Sequence, residues 1–194
     1  MTRLEIYPWA SLSPDTIEQM FRLRQAVFIS EQQCIYPDLD GWDPKAWHVG
    51  AWESVEQVSA EGLAPAASFR ASSGASPEAS PEASPEEKLV ACCRIFPSGV
   101  MPPMHPFQVP DDGVSARIGR IVTDPRFRSR GIAGAMVREA LAFIQQNRLG
   151  RHVRIAAQRH LSAYYAGFGF REIGEPYVED DIPHTDMLLI LSGE

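Results

Sequence analysis

VTDPRFRSRGIAGAMVREAL, residues 122–141, gathers three arginines within positions 126–130 and then runs into a smooth apolar pattern. A strand closing at Asp124, a turn at Pro125 and a helix from about Gly131 to Gln146 fit this stretch. The apolar positions Ile132, Ala133, Met136, Val137, Ala140, Leu141 and Ile144 repeat at helical spacing. Strand, short loop and helix present the unpaired amides of a first helical turn to an anion, and the helix dipole adds partial positive charge. Gly131, Ala133 and Gly134 are small enough for close approach, and Arg128 and Arg130 can add charge-assisted hydrogen bonds. A Walker loop requires G-x-x-x-x-G-K-[ST] and a Rossmann turn G-x-G-x-x-G; neither is present. Spacing alone leaves an anion grip and a set of solvated arginines equally open.

Composition narrows the classes. The chain has 194 residues, 44% apolar and 22% charged, enough for one domain with a core that needs no disulfide or metal. With 18 basic against 25 acidic residues the net charge is −7, which argues against duplex nucleic acid and suits a small cationic substrate. No apolar run reaches bilayer length, and the N-terminus lacks the pattern of a secretory signal, so no membrane partner is expected and the cytoplasm is the expected compartment. Cys34, Cys92 and Cys93 form no framework and no zinc spacing; buried thiols are expected, with no metal. Cys92 and Cys93, adjacent in a strand-like run, should point to opposite faces.

Outward from the opening stretch, residues 3–7 read as a strand. Residues 13–32 read as a helix capped by Ser13, with Ile17, Met20, Phe21, Val27 and Phe28 as its apolar face. A Pro/Asp/Gly loop at 34–46 leads to strands at 47–53 and 88–96. Between those strands, residues 54–88 end in an SPEA tandem, read as a disordered insertion within a hairpin, with phospho-regulation as the alternative. After a proline-rich loop at 97–113 comes a central strand at 114–124, where the interior Gly119 suggests a bulge. A strand at 152–158, a short helix at 161–168, a strand or turn at 169–175 and a last strand from 185 complete an α/β class fold with a mixed sheet.

The stretch 122–141 resembles the acyl-CoA-binding motif of the GNAT superfamily of N-acetyltransferases, [QR]-x-x-G-x-[GA]. It does so through Arg128, Gly131 and Ala133, with Pro125 and Phe127 upstream. Ser129 stands where many members have glycine, a change that costs little if the backbone there is not left-handed. QRHLSAYYAGFGF, residues 158–170, is similar to a second motif of that family, with Tyr165, Gly169 and Phe170 in register and Gln158 in place of asparagine. LRQAVFISEQQCIYPDLDGWD and YVEDDIPHTDM resemble the ElaA-type branch. The resemblance implies a mixed, mostly antiparallel sheet flanked by helices, whose splayed central strands form an acyl-CoA cleft. It implies that amides from Arg128 through Ser129, Arg130, Gly131, Ile132 and Ala133 to Gly134 hold the diphosphate of acetyl-CoA. It also implies that Ile121, Val122 and Thr123 line the pantetheine arm, with Gln158 as a further contact.

Moving an acyl group from a thioester to an amine needs a neutral amine, donors for the developing oxyanion, and a proton for the departing thiolate. The family register points to Tyr165, rather than its neighbour Tyr164, for the last task. Glu31 and His184 are the candidate proton acceptors, each from a segment shared with the ElaA-type branch. Asp38, Asp40 and Glu179 are candidates to attract a cationic amine, small-molecule or protein-borne. Two other readings stand beside the acetyltransferase: an acyl-homoserine-lactone-synthase-like enzyme, from the RLRQAVF…DLDGWD region, and a non-catalytic acyl-CoA sensor. The oligomeric state is open.

Overall fold

The computed structural model describes residues 2–34, 36–54, 87–100 and 109–191. Its elements are β1 (Arg3–Pro8), α1 (Pro14–Arg24), β2 (Trp47–Ser54), β3 (Glu87–Phe96), β4 (Ser115–Thr123), α2 (Ile132–Gln146), β5 (His152–Gln158), α3 (Ser162–Ala166), β6 (Arg171–Glu179) and β7 (Ile182–Ile190). The seven strands form one sheet in the order β1-β2-β3-β4-β5-β7-β6. Every neighbouring pair is antiparallel except β4 and β5.

The apolar runs of β2 and β3 are buried on both faces because a helix covers each side of the sheet. On one face α2 packs Ile132, Met136, Val137, Ala140 and Ile144 against Val49, Cys93, Ile95 and Ile118. On the other, Met20, Leu23 and Val27 meet Trp52, Leu89, Cys92 and Val122. Cys92 and Cys93 therefore do face opposite sides.

The first helix differs from its sequence reading. After Arg24 it widens into a π-helical stretch, Gln25–Glu31, and Gln32 N donates to Val27 O at 2.9 Å. The widening follows Arg24, which is buried on the face that periodicity assigns to apolar side chains. Such insertions re-aim the following residues and recur at functional sites. Ser54, Glu87 and Lys88, read as part of the insertion, are strand residues, and Ser54 pairs with Glu87 across the β2–β3 ladder. The rest of that reading, at 55–86, lies outside the described residues, as does 101–108 of the proline-rich loop.

Two features open the middle of the sheet. β4 and β5 pair only through Ser115–His152, Ala116–Val153 and Arg117–Arg154. Beyond Arg117 the edge of β4 that faces β5 has no strand partner among the described residues. Gly150 seats the start of this short ladder, since a Cβ there would lie 2.4 Å from the backbone nitrogen of Ala116. The second feature is a bulge: Arg94 pairs with Gly119 and Cys92 with Val122, leaving Arg120 and Ile121 opposite Cys93. The expectation placed a bulge at Gly119 or its neighbourhood, and it lies directly after Gly119, with Arg120 left-handed at φ +52°.

The C-terminal hairpin is longer than its sequence suggests. Pro176 and Pro183 mask β6 and β7, but β6 is an edge strand whose pairing is irregular between Ile173 and Tyr177. A proline there forfeits no ladder bond.

Candidate active site

The mouth of α2 is shaped by backbone conformation. Asp124 caps the short turn Pro125–Phe127, and its carboxylate accepts from Arg126 N at 3.1 Å. Ser129 (φ +62°) and Gly131 (φ +77°) are both left-handed. The condition under which Ser129 was expected to cost little is thus not met: a Cβ in this region carries steric strain that glycine avoids. Ala135 N donates to Gly131 O at 2.9 Å, which leaves the amides of Ile132, Ala133 and Gly134 in the first turn ahead of that bond. A Cβ on Gly131 would meet nothing within 4 Å, so the space in front of the turn is open.

The three arginines divide their tasks. Arg126 pairs with Asp124. Arg130 lies over the Phe127 ring at 4.9 Å and donates to Arg126 O at 3.3 Å. Arg128 reaches across the rim to Glu31 at the end of the π-helical stretch, in a two-pronged ion pair of 2.6 and 2.7 Å. This contact holds the Glu31 carboxyl below its usual range. Glu31 sits on the rim, half-exposed, and does not line the inner cavity.

The parted strands enclose a cavity of about 470 Å³. Gly119, Arg120 and Ile121 of β4 form one wall, and Ile155, Ala156, Ala157 and Gln158 of β5 the other. Val122 and Thr123 are not in the lining; the Val122 side chain packs toward α1, so only its backbone is available on this side. Tyr165, on α3, is buried and lines the cavity, and burial pushes its hydroxyl above the ordinary phenol range. Tyr164 is 40% exposed and does not line it. Gln158 Nε2 meets Gln32 Oε1 at 3.2 Å, joining β5 to the first helical segment.

At the far end stand Glu179, Asp180 and His184 from the β6–β7 hairpin. His184 Nε2 is 4.0 Å from Glu179 Oε2, and its Nδ1 is 2.9 Å from Ile182 O. Burial raises the Glu179 carboxyl above its usual value, against the opposing pull of His184. The hairpin turns through Asp180 (φ +47°) and Asp181 (φ +61°), the left-handed pair that a two-residue type I′ turn requires.

Facing this end is a buried charge cluster that sequence reasoning did not assemble. Arg24 bonds Asp38 at 2.9 Å and Asp43 at 2.7 Å. Arg94 grips Asp40 at 2.9 and 2.7 Å, and Arg120 Nε is 2.8 Å from Asp38. Asp38 and Asp40 were read as recruiting a cationic amine; both are taken up by guanidinium groups, and the Asp38 side chain is buried. Three carboxylates and three guanidiniums neutralise one another and pin the 36–43 loop to the sheet. The arginines involved were legible only as scattered strand and helix residues. Their partners lie 14 to 82 positions away.

Residues 108–191 match the acetyltransferase (GNAT) domain family. Over this stretch the chain is similar to the GNAT acetyltransferases. It is similar to ElaA of Escherichia coli, with 27% identity over 92% of this chain and 90% of the relative. The crystal structure of that relative covers 97% of this chain and 99% of its own, with a TM-score of 0.70 at 24% identity. An acyl-CoA N-acyltransferase from Pseudomonas aeruginosa superposes equally well, with a TM-score of 0.70 and 25% identity over 97% of this chain and 99% of that one. A CoA-dependent acyl-homoserine lactone synthase, BjaI, solved with isopentyl-CoA, shares the fold at 15% identity and a TM-score of 0.68, over 99% of this chain and 84% of that one. The domain match and the shared fold support an acyltransferase enzyme. Among the described residues no helix is long and apolar enough to cross a membrane.

The residues present fit an acyl-CoA. A Cβ added at Gly131, beside the first turn of α2, would meet nothing within 4 Å, and β4 beyond Arg117 has no strand partner among the described residues on its β5 side.

Proposed function

We propose that this GNAT acyltransferase moves an acetyl group from acetyl-CoA to a small primary amine, bound between the 36–40 loop and the β6–β7 hairpin. One observation carries the reading: a continuous cavity joins the unpaired side of β4, Tyr165, and the Glu179–His184 pair. Acetyl-CoA supplies the activated thioester. The amides of Ile132, Ala133 and Gly134, with Ser129, Arg130 and Gly131 before them, hold its diphosphate, and Arg128 adds charge from the rim. Backbone groups of Ile121, Val122 and Thr123 run beside the pantetheine arm, and Gln158 closes the opposite wall. At the bulge, a backbone N–H donates to the thioester oxygen.

A free alkylamine has a pKa of about 10.4 and arrives as ammonium, so it must lose a proton before it attacks. Glu179 Oε2 takes that proton, with His184 Nε2 beside it to share or relay the charge. Its raised affinity for protons makes Glu179 the better base. Glu31, held acidic by Arg128, instead positions the guanidinium at the rim. Asp38 and Asp40 act on the acceptor through the loop they anchor, and Asp180 at the hairpin tip draws the cation.

Tyr165 Oη gives its proton to the leaving sulfur. A phenol donates to a thiolate only when the site is dry enough to raise the thiol as well. The proposed compartment is the cytoplasm, in keeping with three free cysteines.

The test is coenzyme A release from acetyl-CoA across an amine library, with S-adenosylmethionine as a separate acceptor arm. Release with simple primary amines is expected. Release with S-adenosylmethionine alone would favour lactone-synthase-like chemistry, and no release with any acceptor would remove the reading.

A further inference from the structure

Arg120 has no part in the proton transfers above, yet it meets both halves of the cleft. Its backbone makes the β4 bulge in a left-handed conformation that glycine adopts without steric penalty. Its side chain leaves the strand toward the acceptor loop. Nε lies 2.8 Å from Asp38 Oδ1 and Nη2 3.6 Å from Asp40 Oδ2, and the guanidinium sits 4.7 Å from the centre of the Tyr36 ring. Asp38 and Asp40 also have Arg24 and Arg94 as partners, so the loop keeps two anchors without Arg120. What Arg120 adds is the tie to the bulge itself. Tyr36, Asp40 and Arg120 line the same cavity as Glu179 and His184.

We propose that Arg120 is a positioning residue for the acceptor: it locks Tyr36 and the 38–40 loop against the β4 bulge, fixing one wall of the amine site relative to the thioester. A planar guanidinium can ion-pair at its edge and stack on a ring at its face at once, which a lysine cannot. That dual contact is the reason for an arginine at a position whose backbone favours glycine. The proposal rests on the acyl-transfer reading for its functional meaning, but its physical core is tested separately.

Arg120→Gly suits the left-handed backbone and removes the whole side chain, guanidinium included. In hydrogen exchange on the full chain, amides of residues 36–42 should exchange at least tenfold faster, while those of β2 and β3 stay unchanged. Two of these amides, Asp40 N and Trp42 N, bond within the loop to Asp38 O and Asp40 Oδ1. Arg120→Lys should restore part of the protection. Tyr36→Leu, which leaves β4 intact, should reproduce the loss and serves as the second variant should Arg120→Gly fold poorly. With an amine that the wild-type chain acetylates, Arg120→Gly and Tyr36→Leu should each raise KM for the amine at least tenfold with acetyl-CoA affinity within threefold, and in Tyr36→Leu, whose β4 bulge is untouched, kcat should stay within threefold. Unchanged exchange at 36–42 overturns the tie, and an unchanged amine KM overturns the positioning role. A wild-type chain that releases no coenzyme A sinks the acyl-transfer reading instead, and the exchange result still decides the tie.

Discussion

Tyr165 and Glu179, the proposed acid and base, line one cavity, and burial raises each above its usual pKa. In the proposed reaction this keeps the Tyr165 phenol neutral until charge develops on sulfur. Tyr165→Phe should lower kcat by on the order of 10²-fold, the usual worth of a positioned acid, and leave acetyl-CoA affinity nearly unchanged by calorimetry. For Glu179 the consequence is a pH dependence. The base must be ionised, and its raised pKa places the loss of activity on acidification above the ordinary carboxylate range. Rates at saturating amine should fall as pH drops through that raised value, and Glu179→Gln should abolish this acid limb along with most turnover. If the limb persists in Glu179→Gln, the proton acceptor lies elsewhere. The family register singled out Tyr165 from sequence alone, and Tyr165, unlike Tyr164, lines the cavity. Glu179 was legible only as one acid among several, because the fold alone brings it beside His184.

Elements show where local preference is overruled. The β6–β7 turn holds two left-handed aspartates where Asn-Gly is the low-strain solution. Asp181→Gly should stabilise the chain by about 0.5–1 kcal/mol, the steric relief less glycine's entropy cost, measured by thermal or urea melts. Its two prolines hid this hairpin from pattern reading: Pro176 sits on the edge strand β6, and Pro183 lies one residue beyond the β5–β7 ladder, so each is tolerated where a fully paired strand position would not allow it. The end of the first helix was hidden for a different reason. Apolar spacing reads through positions 17–28 as one face, but a buried arginine forces a wider turn that periodicity does not register. By contrast α2 followed its pattern closely. Its apolar face meets a fully covered sheet, so local preference and tertiary demand agree.

Across the whole molecule, the 36–43 loop is held by charge rather than by apolar packing. Arg24 lies at the centre, fully desolvated between Asp38 and Asp43. Arg24→Met should destabilise by about 3–5 kcal/mol, since it leaves two carboxylates buried with fewer partners, and denaturant melts would show it. A loss below about 1 kcal/mol would mean that water or loop release satisfies them. Sequence by itself determined the α/β class, the order of most elements and the turn at the α2 mouth. Each of these depends on contacts between near neighbours: helical period, strand alternation, a small-residue turn. Only the tertiary structure decided that β4 bends at Arg120, that Glu31 is spent on Arg128, and that Asp38 and Asp40 are neutralised. Those outcomes depend on which charges meet across long separations, where a carboxylate's role is set by the partner that folding brings to it.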